Sequence, residues 1–172
     1  MASLKLRISW APRDARFPHE DEALGHALLT MMNGRLEVGH PRPTVFVFRA
    51  ESVQIVDMVA ILGTPDPHQW IAALAGQEEV QALAVVAPLM KRRGRQVLER
   101  CASVYVEWPD GRWWWARRLL DPQGRPIEGI ESDVQRAIDG ATKPLGLGAW
   151  FARARFQSLR LRSEPVAPEL WN

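Results

Sequence analysis

Apolar and polar side chains alternate from the start of the chain: Leu4, Leu6, Ile8 and Trp10 interleave with Ser3, Lys5, Arg7 and Ser9. That period of two predicts a strand with one buried face. After a proline-containing loop the period changes. From His19 to Asn33, Leu24, Ala27, Leu28 and Met31 fall at i, i+3, i+4 and i+7. Glu20, Asp21 and Glu22 occupy the first turn and Gly34 follows, so the segment predicts an amphipathic helix stopping at that glycine. Thr44 to Arg49 and Ser52 to Leu62 are rich in β-branched and aromatic residues and predict two strands joined by a tight turn at Ala50-Glu51. Asp66-Pro67-His68-Gln69 has the chemistry of a helix start, and Gly76 ends the short helix. Gln77 to Met90 mixes signals; Val85-Val86 and Pro88 favour a strand from Val80 to Leu89. Lys91-Arg92-Arg93-Gly94-Arg95 then reads as a basic turn into a strand from Gln96 to Trp108.

Trp108-Pro109-Asp110-Gly111-Arg112 carries the strongest local signal, since Pro-Asp-Gly suits a three-residue hairpin loop with glycine in the left-handed position. Pairing Trp108 with Arg112 puts Glu107 opposite Trp113, Val106 opposite Trp114, Tyr105 opposite Trp115 and Val104 opposite Ala116. Beyond the turn at Asp121-Pro122-Gln123-Gly124, Ile130, Val134, Ala137 and Ile138 have the spacing of a third helix ending near Gly140. Phe151 to Phe156 and Leu159 to Arg162 alternate as a last strand or strand pair, and the tail from about residue 163, with Pro165 and Pro168, reads as irregular. These elements predict one α+β domain over residues 1–172, with a mainly antiparallel sheet and about three helices.

Composition agrees with an ordered chain: 47% of the 172 residues are hydrophobic and 24% charged. A single cysteine, no apolar segment near the roughly 20 residues of a membrane span, and no signal-peptide pattern at Met1 to Lys5 give the expectation of a cytoplasmic protein without membrane contact. Charge is unevenly placed. Residues 1–90 have a net charge of −3 and residues 91–172 of +5, an asymmetry that points to an anion-binding surface in the second half. Its candidates are Arg92, Arg93, Arg95, Arg153, Arg155, Arg160 and Arg162, and the two clusters merge if the last strand lies beside the hairpin.

The phosphate-loop, dinucleotide, nucleophile-elbow and paired-cysteine motifs are all missing. His19, Glu22 and His26 fall at i, i+3 and i+7, which turns a possible ligand set to one side of a helix. Only Glu22/His26 has the i, i+4 spacing usual for helical ligands, and an acidic first turn with exposed histidines explains the pattern. No metal, no cofactor and no catalytic residue is therefore assigned. Cys101 reads as a small core residue. A pocket gathering two of His19, His26, His40 and His68 with a carboxylate would favour an enzyme, and four dispersed, exposed histidines would count against one.

Eight tryptophans are many for this length, and Trp113-Trp114-Trp115 forces indoles onto both faces of one strand. Tyr105, Trp113 and Trp115 share a face with Arg117, and Arg112 and Arg118 lie near its ends. Three readings follow: the fold covers this face, a protein partner docks on it, or single-stranded nucleic acid stacks on it. The expectation carried forward is a non-catalytic binding domain that engages a protein partner, a second copy of itself included, through this aromatic and arginine face. Single-stranded nucleic-acid binding through the same face and the basic second half is the alternative, and an enzyme of unrecognised class the further one.

Overall fold

Residues 3–39, 42–128, 133–136, 150–154 and 160–165 are described by a computed structural model. The alternating N-terminal segment forms β1 (Ser3–Pro12), with Leu6 and Ile8 buried. The periodic segment forms α1 (Asp21–Val38), whose buried residues are Leu24, Gly25, Leu28, Leu29, Met32 and Leu36. Ala27 and Met31 are half-buried at the flank of that stripe. The helix runs through Gly34, where the sequence predicts a stop. A mid-helix glycine costs about 1 kcal/mol, and burial of Leu36 two residues later offsets it.

Two strands follow, β2 (Thr44–Phe48) and β3 (Ser52–Asp57), closed by a hydrogen bond from Arg49 N to Ser52 O of 2.9 Å. The strand expected as far as Leu62 ends at Asp57, because its carboxylate accepts the N–H of Val59 (3.0 Å) and turns the chain into the short helix α2 (Val59–Leu62). α3 (Pro67–Ala75) lies as the sequence predicts. β4 (Ala82–Arg93) and β5 (Gln96–Glu107) form a long hairpin, so most of the expected basic turn is strand and only Gly94-Arg95 turns, with Gly94 at φ +60°. β6 (Trp113–Leu120) pairs with β5 in the predicted register, Glu107 with Trp113 through Val104 with Ala116.

The C-terminal third departs further from expectation. Where a third helix is predicted, Asp133–Arg136 is strand β7, paired with β6 so that Val134 stands opposite Ala116. Four residues of edge pairing override the helical spacing of Ile130, Val134, Ala137 and Ile138; the other three lie outside the described residues. Trp150–Ala154 is a helix, α4, within the segment expected to be strand. β8 (Arg160–Pro165) extends into the tail expected to be irregular, because it pairs in parallel with β1 from Ser3/Arg160 to Ile8/Pro165.

Eight strands among the described residues make one sheet in the order β7-β6-β5-β4-β2-β3-β1-β8, antiparallel except for β1/β8. The chain has the α+β class read from its sequence. β1 reaches β2 through α1, skipping the place of β3, and β3 reaches β4 through α2 and α3, skipping β2. The two crossovers move the same way across the sheet but start from oppositely directed strands. One shared hand therefore puts their helices on opposite faces. Both faces are thus covered: α1 packs with Phe46, Phe48, Val104, Val106 and Trp114, and α3 with Val45, Val47, Leu83, Tyr105, Trp113 and Trp115. Central strands such as β2, every residue of which is buried, consequently read as continuous apolar runs.

Three loops at one end are tied by Arg13, which donates to Phe17 O (3.3 Å), Arg49 O (3.0 Å), Pro18 O (3.1 Å) and Gln81 Oε1 (3.1 Å). Arg49 in turn donates to Gln77 Oε1 (2.6 Å) and Gln54 Oε1 (3.3 Å). These guanidinium groups hold the fold's loops.

α1 lies tight against the sheet at Gly25, where an added Cβ would lie 2.4 Å from Trp114 Cδ2. Alanine in place of a helical glycine ordinarily stabilises by up to about 1 kcal/mol. Gly25→Ala is instead expected to destabilise by about 1 to 3 kcal/mol through overpacking. Gly34→Ala, with open space around its Cβ, is expected to stabilise. Urea unfolding of both variants checks the pair; a Gly25→Ala protein as stable as the parent would refute the tight helix contact.

Candidate functional site

Hairpin geometry places the residues the sequence singles out. The Pro109-Asp110-Gly111 loop closes with Gly111 N donating to Trp108 O (2.9 Å) and Trp108 N to Arg112 O (3.0 Å), and Gly111 has φ +89°. The resulting alternation puts Tyr105, Glu107, Trp113 and Trp115 on one face. Of the three readings of that face, coverage by the fold itself is the one realised: Tyr105, Trp113 and Trp115 are all buried. The expected partner-binding surface is internal because α3 and α4 cap it.

Trp150 of α4 is fully buried there, meeting the Tyr105 ring edge to face at 5.2 Å and stacking on His68 at 6.3 Å. Its indole N–H donates to His68 Nδ1 (3.2 Å). The Tyr105 hydroxyl donates to Glu107 Oε2 (2.8 Å), and Glu107 Oε1 accepts the backbone N–H of Phe151 (3.3 Å). A buried carboxylate thus fastens α4 to the sheet. Burial chiefly, with the nearby Glu107 charge and the hydrogen bond to it, pushes the Tyr105 phenol well above its ordinary range. Neither Trp150 nor Glu107 was recognisable as part of this seam, since only the tertiary fold brings residue 150 to residue 105.

Two of the arginines around the face, Arg112 and Arg117, are engaged. Arg117 is ion-paired with Glu99 and lies 5.6 Å over the Trp115 ring. Arg112 pairs with Asp21 and with Asp110 (2.6 Å) and covers Trp108 at 5.6 Å. Arg118, half-buried, alternates onto the opposite face. The second basic cluster does not merge with the first: Arg160 and Arg162 are on β8, with β1, β3 and β2 between it and the β4/β5 hairpin. Arg153 belongs to α4, and Arg155 lies outside the described residues.

Lys91, Arg92, Arg93 and Arg95 behave differently. β4 leaves β2 after Val86 and β5 leaves β6 after Arg100, so the two continue as a two-stranded ribbon. Every residue from Met90 to Gln96 is exposed. Opposite Lys91 and Arg92 stand Glu99 and Val97, which makes Leu98 the extra residue of a bulge; it is 50% exposed and Met90 40%. Beside the ribbon's root, Val97, Leu98, Leu119, Leu120, Pro122 and Ile127, with Glu99 and Arg100, line a groove of about 430 Å³.

Among the described residues the remaining candidates do not gather into a group of metal ligands. Glu22 and His26 approach to 4.0 Å on α1, while the His26 ring meets Trp114 at 5.3 Å. Among the described residues no three His, Cys, Asp or Glu side chains cluster as a metal site, His19 included. His68 is on α3, across the sheet from α1, and His40 lies outside the described residues. Cys101 is buried, and desolvation pushes its thiol up, with Glu99 adding to the shift and Arg117 opposing it. No helix among the described residues is long and apolar enough to cross a membrane.

Two measurements probe the seam. Truncating a fully buried indole costs about 3 to 5 kcal/mol, so Trp150→Ala is expected to lower unfolding stability by that amount; a loss below about 1 kcal/mol would show α4 to be undocked. Tyr105 is the single tyrosine. Because the fold favours its neutral form, its contribution is complete below about pH 10 and declines at higher pH, where the unfolded chain releases the proton. Native protein is therefore expected to show no tyrosinate absorbance until alkaline unfolding sets in, and titration of folded protein near pH 10 would contradict the burial. In comparisons with known proteins, no protein-family model, no curated protein and no solved structure matches this chain.

Proposed function

We propose that the protein is a non-catalytic binding domain that contacts a nucleic acid through the basic ribbon formed by the ends of β4 and β5. One observation carries this reading. Four cations, Lys91, Arg92, Arg93 and Arg95, occupy five consecutive positions at an exposed tip, and the ion pairs among the described residues involve none of them. The carboxylate nearest in register, Glu99, is held by Arg117. Concentrated positive charge without internal compensation favours a polyanion, whose counterions are released on binding.

Burial of Tyr105, Trp113 and Trp115 removes the aromatic area on which docking at the hairpin face would rely. A protein partner, including a second copy of the chain, keeps one specific observation in its favour: Leu98, exposed like Met90, lines a mainly apolar groove at the ribbon's root edged by Glu99 and Arg100, and Met and Arg are enriched in protein interfaces.

Fluorescence anisotropy of labelled oligonucleotides at two or more salt concentrations tests the proposal. Binding is expected to weaken steeply with salt, and Arg92→Gln/Arg93→Gln/Arg95→Gln to reduce the slope of log affinity against log salt by about 0.7 to 0.9 for each phosphate no longer neutralised. Absence of binding at low salt would overturn it; sedimentation of the purified protein would then test self-association.

A further inference from the structure

We propose that the ribbon enters the major groove of B-form duplex DNA and that Arg92, Arg93 and Arg95 meet base edges there, an inference resting on the nucleic-acid reading above. The first argument is reach. From Arg100, the last residue of β5 paired with β6, to Gln96 at the turn is four residues, or about 13 Å of strand. The major groove is about 8.5 Å deep; the turn carrying Pro122 flanks the ribbon at Val97 and Leu98, and beyond it the long arginine side chains of the tip supply the rest of the reach to the groove floor.

Width gives the second argument. Two paired strands lie about 4.8 Å apart, and with their side chains they fit a groove about 12 Å wide but not a minor groove of about 6 Å. The deep, narrow major groove of A-form RNA is closed to them as well. The turn itself is slim at its apex, where Gly94 takes φ +60° and contributes no side chain. The bulge at Leu98 adds right-handed twist to this two-stranded ribbon.

The third argument is what the ribbon lacks. Sequence-tolerant single-strand binding stacks bases on exposed aromatic rings. Residues 90–98 contain none, and the aromatic residues of the neighbouring hairpin face are buried. Arginine, in contrast, offers a planar fork that matches guanine O6 and N7 in the major groove. Lys91, at the level of Glu99 and nearer the sheet, is left to contact phosphate.

The test compares one sequence as DNA duplex, RNA duplex and single-stranded DNA. It adds a DNA duplex whose major groove is filled by glucosylated hydroxymethylcytosine and a plain duplex pre-bound by netropsin in the minor groove. The plain DNA duplex is expected to bind at least about tenfold more tightly than the RNA duplex, the single strand and the glucosylated duplex, the discrimination of one bidentate arginine contact. Netropsin is expected to leave affinity unchanged. Arg92→Lys/Arg93→Lys/Arg95→Lys preserves charge and is expected to keep salt-dependent binding while the preference over glucosylated DNA disappears. Salt-dependent binding with no loss on glucosylation, with competition by netropsin, or with preference for single strands overturns the groove assignment and leaves the broader reading standing. Failure to bind any of these nucleic acids at low salt overturns both.

Discussion

Three consecutive indoles in one strand impose the constraint on which the rest of the molecule depends. Side chains of a strand alternate, so Trp113 and Trp115 leave one face of β6 as Trp114 leaves the other, and all three are buried. A sheet holding them needs a cover on each side. α1 supplies one, with Gly25 yielding its side-chain volume to the Trp114 ring; α3 and α4 supply the other, with Trp150 against Tyr105. The same-handed crossovers satisfy that requirement through connectivity, since they deliver helices to opposite faces.

Covering both faces changes what the charged residues do. Arg13 and Arg49 are drawn into loop hydrogen bonds, while Arg112 and Arg117 are ion-paired and lie over indole rings. These contacts orient side chains at element boundaries, where a guanidinium can lay its flat face on an aromatic ring and still reach a carboxylate or carbonyl. Set apart from them is a short run at one end of the sheet, residues 91–95, where paired strands outlast their neighbours, the side chains are exposed, and Arg92 donates to the Met90 sulfur (3.0 Å).

The uncovered charge therefore stands at the sheet's end instead of on its face. A face of stacked aromatics offers a recognition surface only while it is uncovered, and here the seam of Tyr105, Trp113, Trp150 and His68 joins α4 to the core. The projecting ribbon has charge, reach and a bulge, and it can meet a partner without disturbing either layer of helices.

Local chemistry fixed what depends on near neighbours. The hairpin register from Glu107/Trp113 to Val104/Ala116 followed from Pro-Asp-Gly alone, because turn geometry sets which residues face each other. β1, most of α1, and α3 likewise follow from periodicity and end signals, and Arg92, Arg93 and Arg95 were legible as a basic cluster. Tertiary structure decided the remainder. Val134 became part of an edge strand through pairing with β6, β8 found its place beside β1 instead of the hairpin, and the aromatic face was closed by a tryptophan 45 positions after Tyr105. Alternation states that a side chain shares a face with its second neighbour, yet whether that face meets water or a helix is set by contacts distant in sequence, which no local pattern encodes.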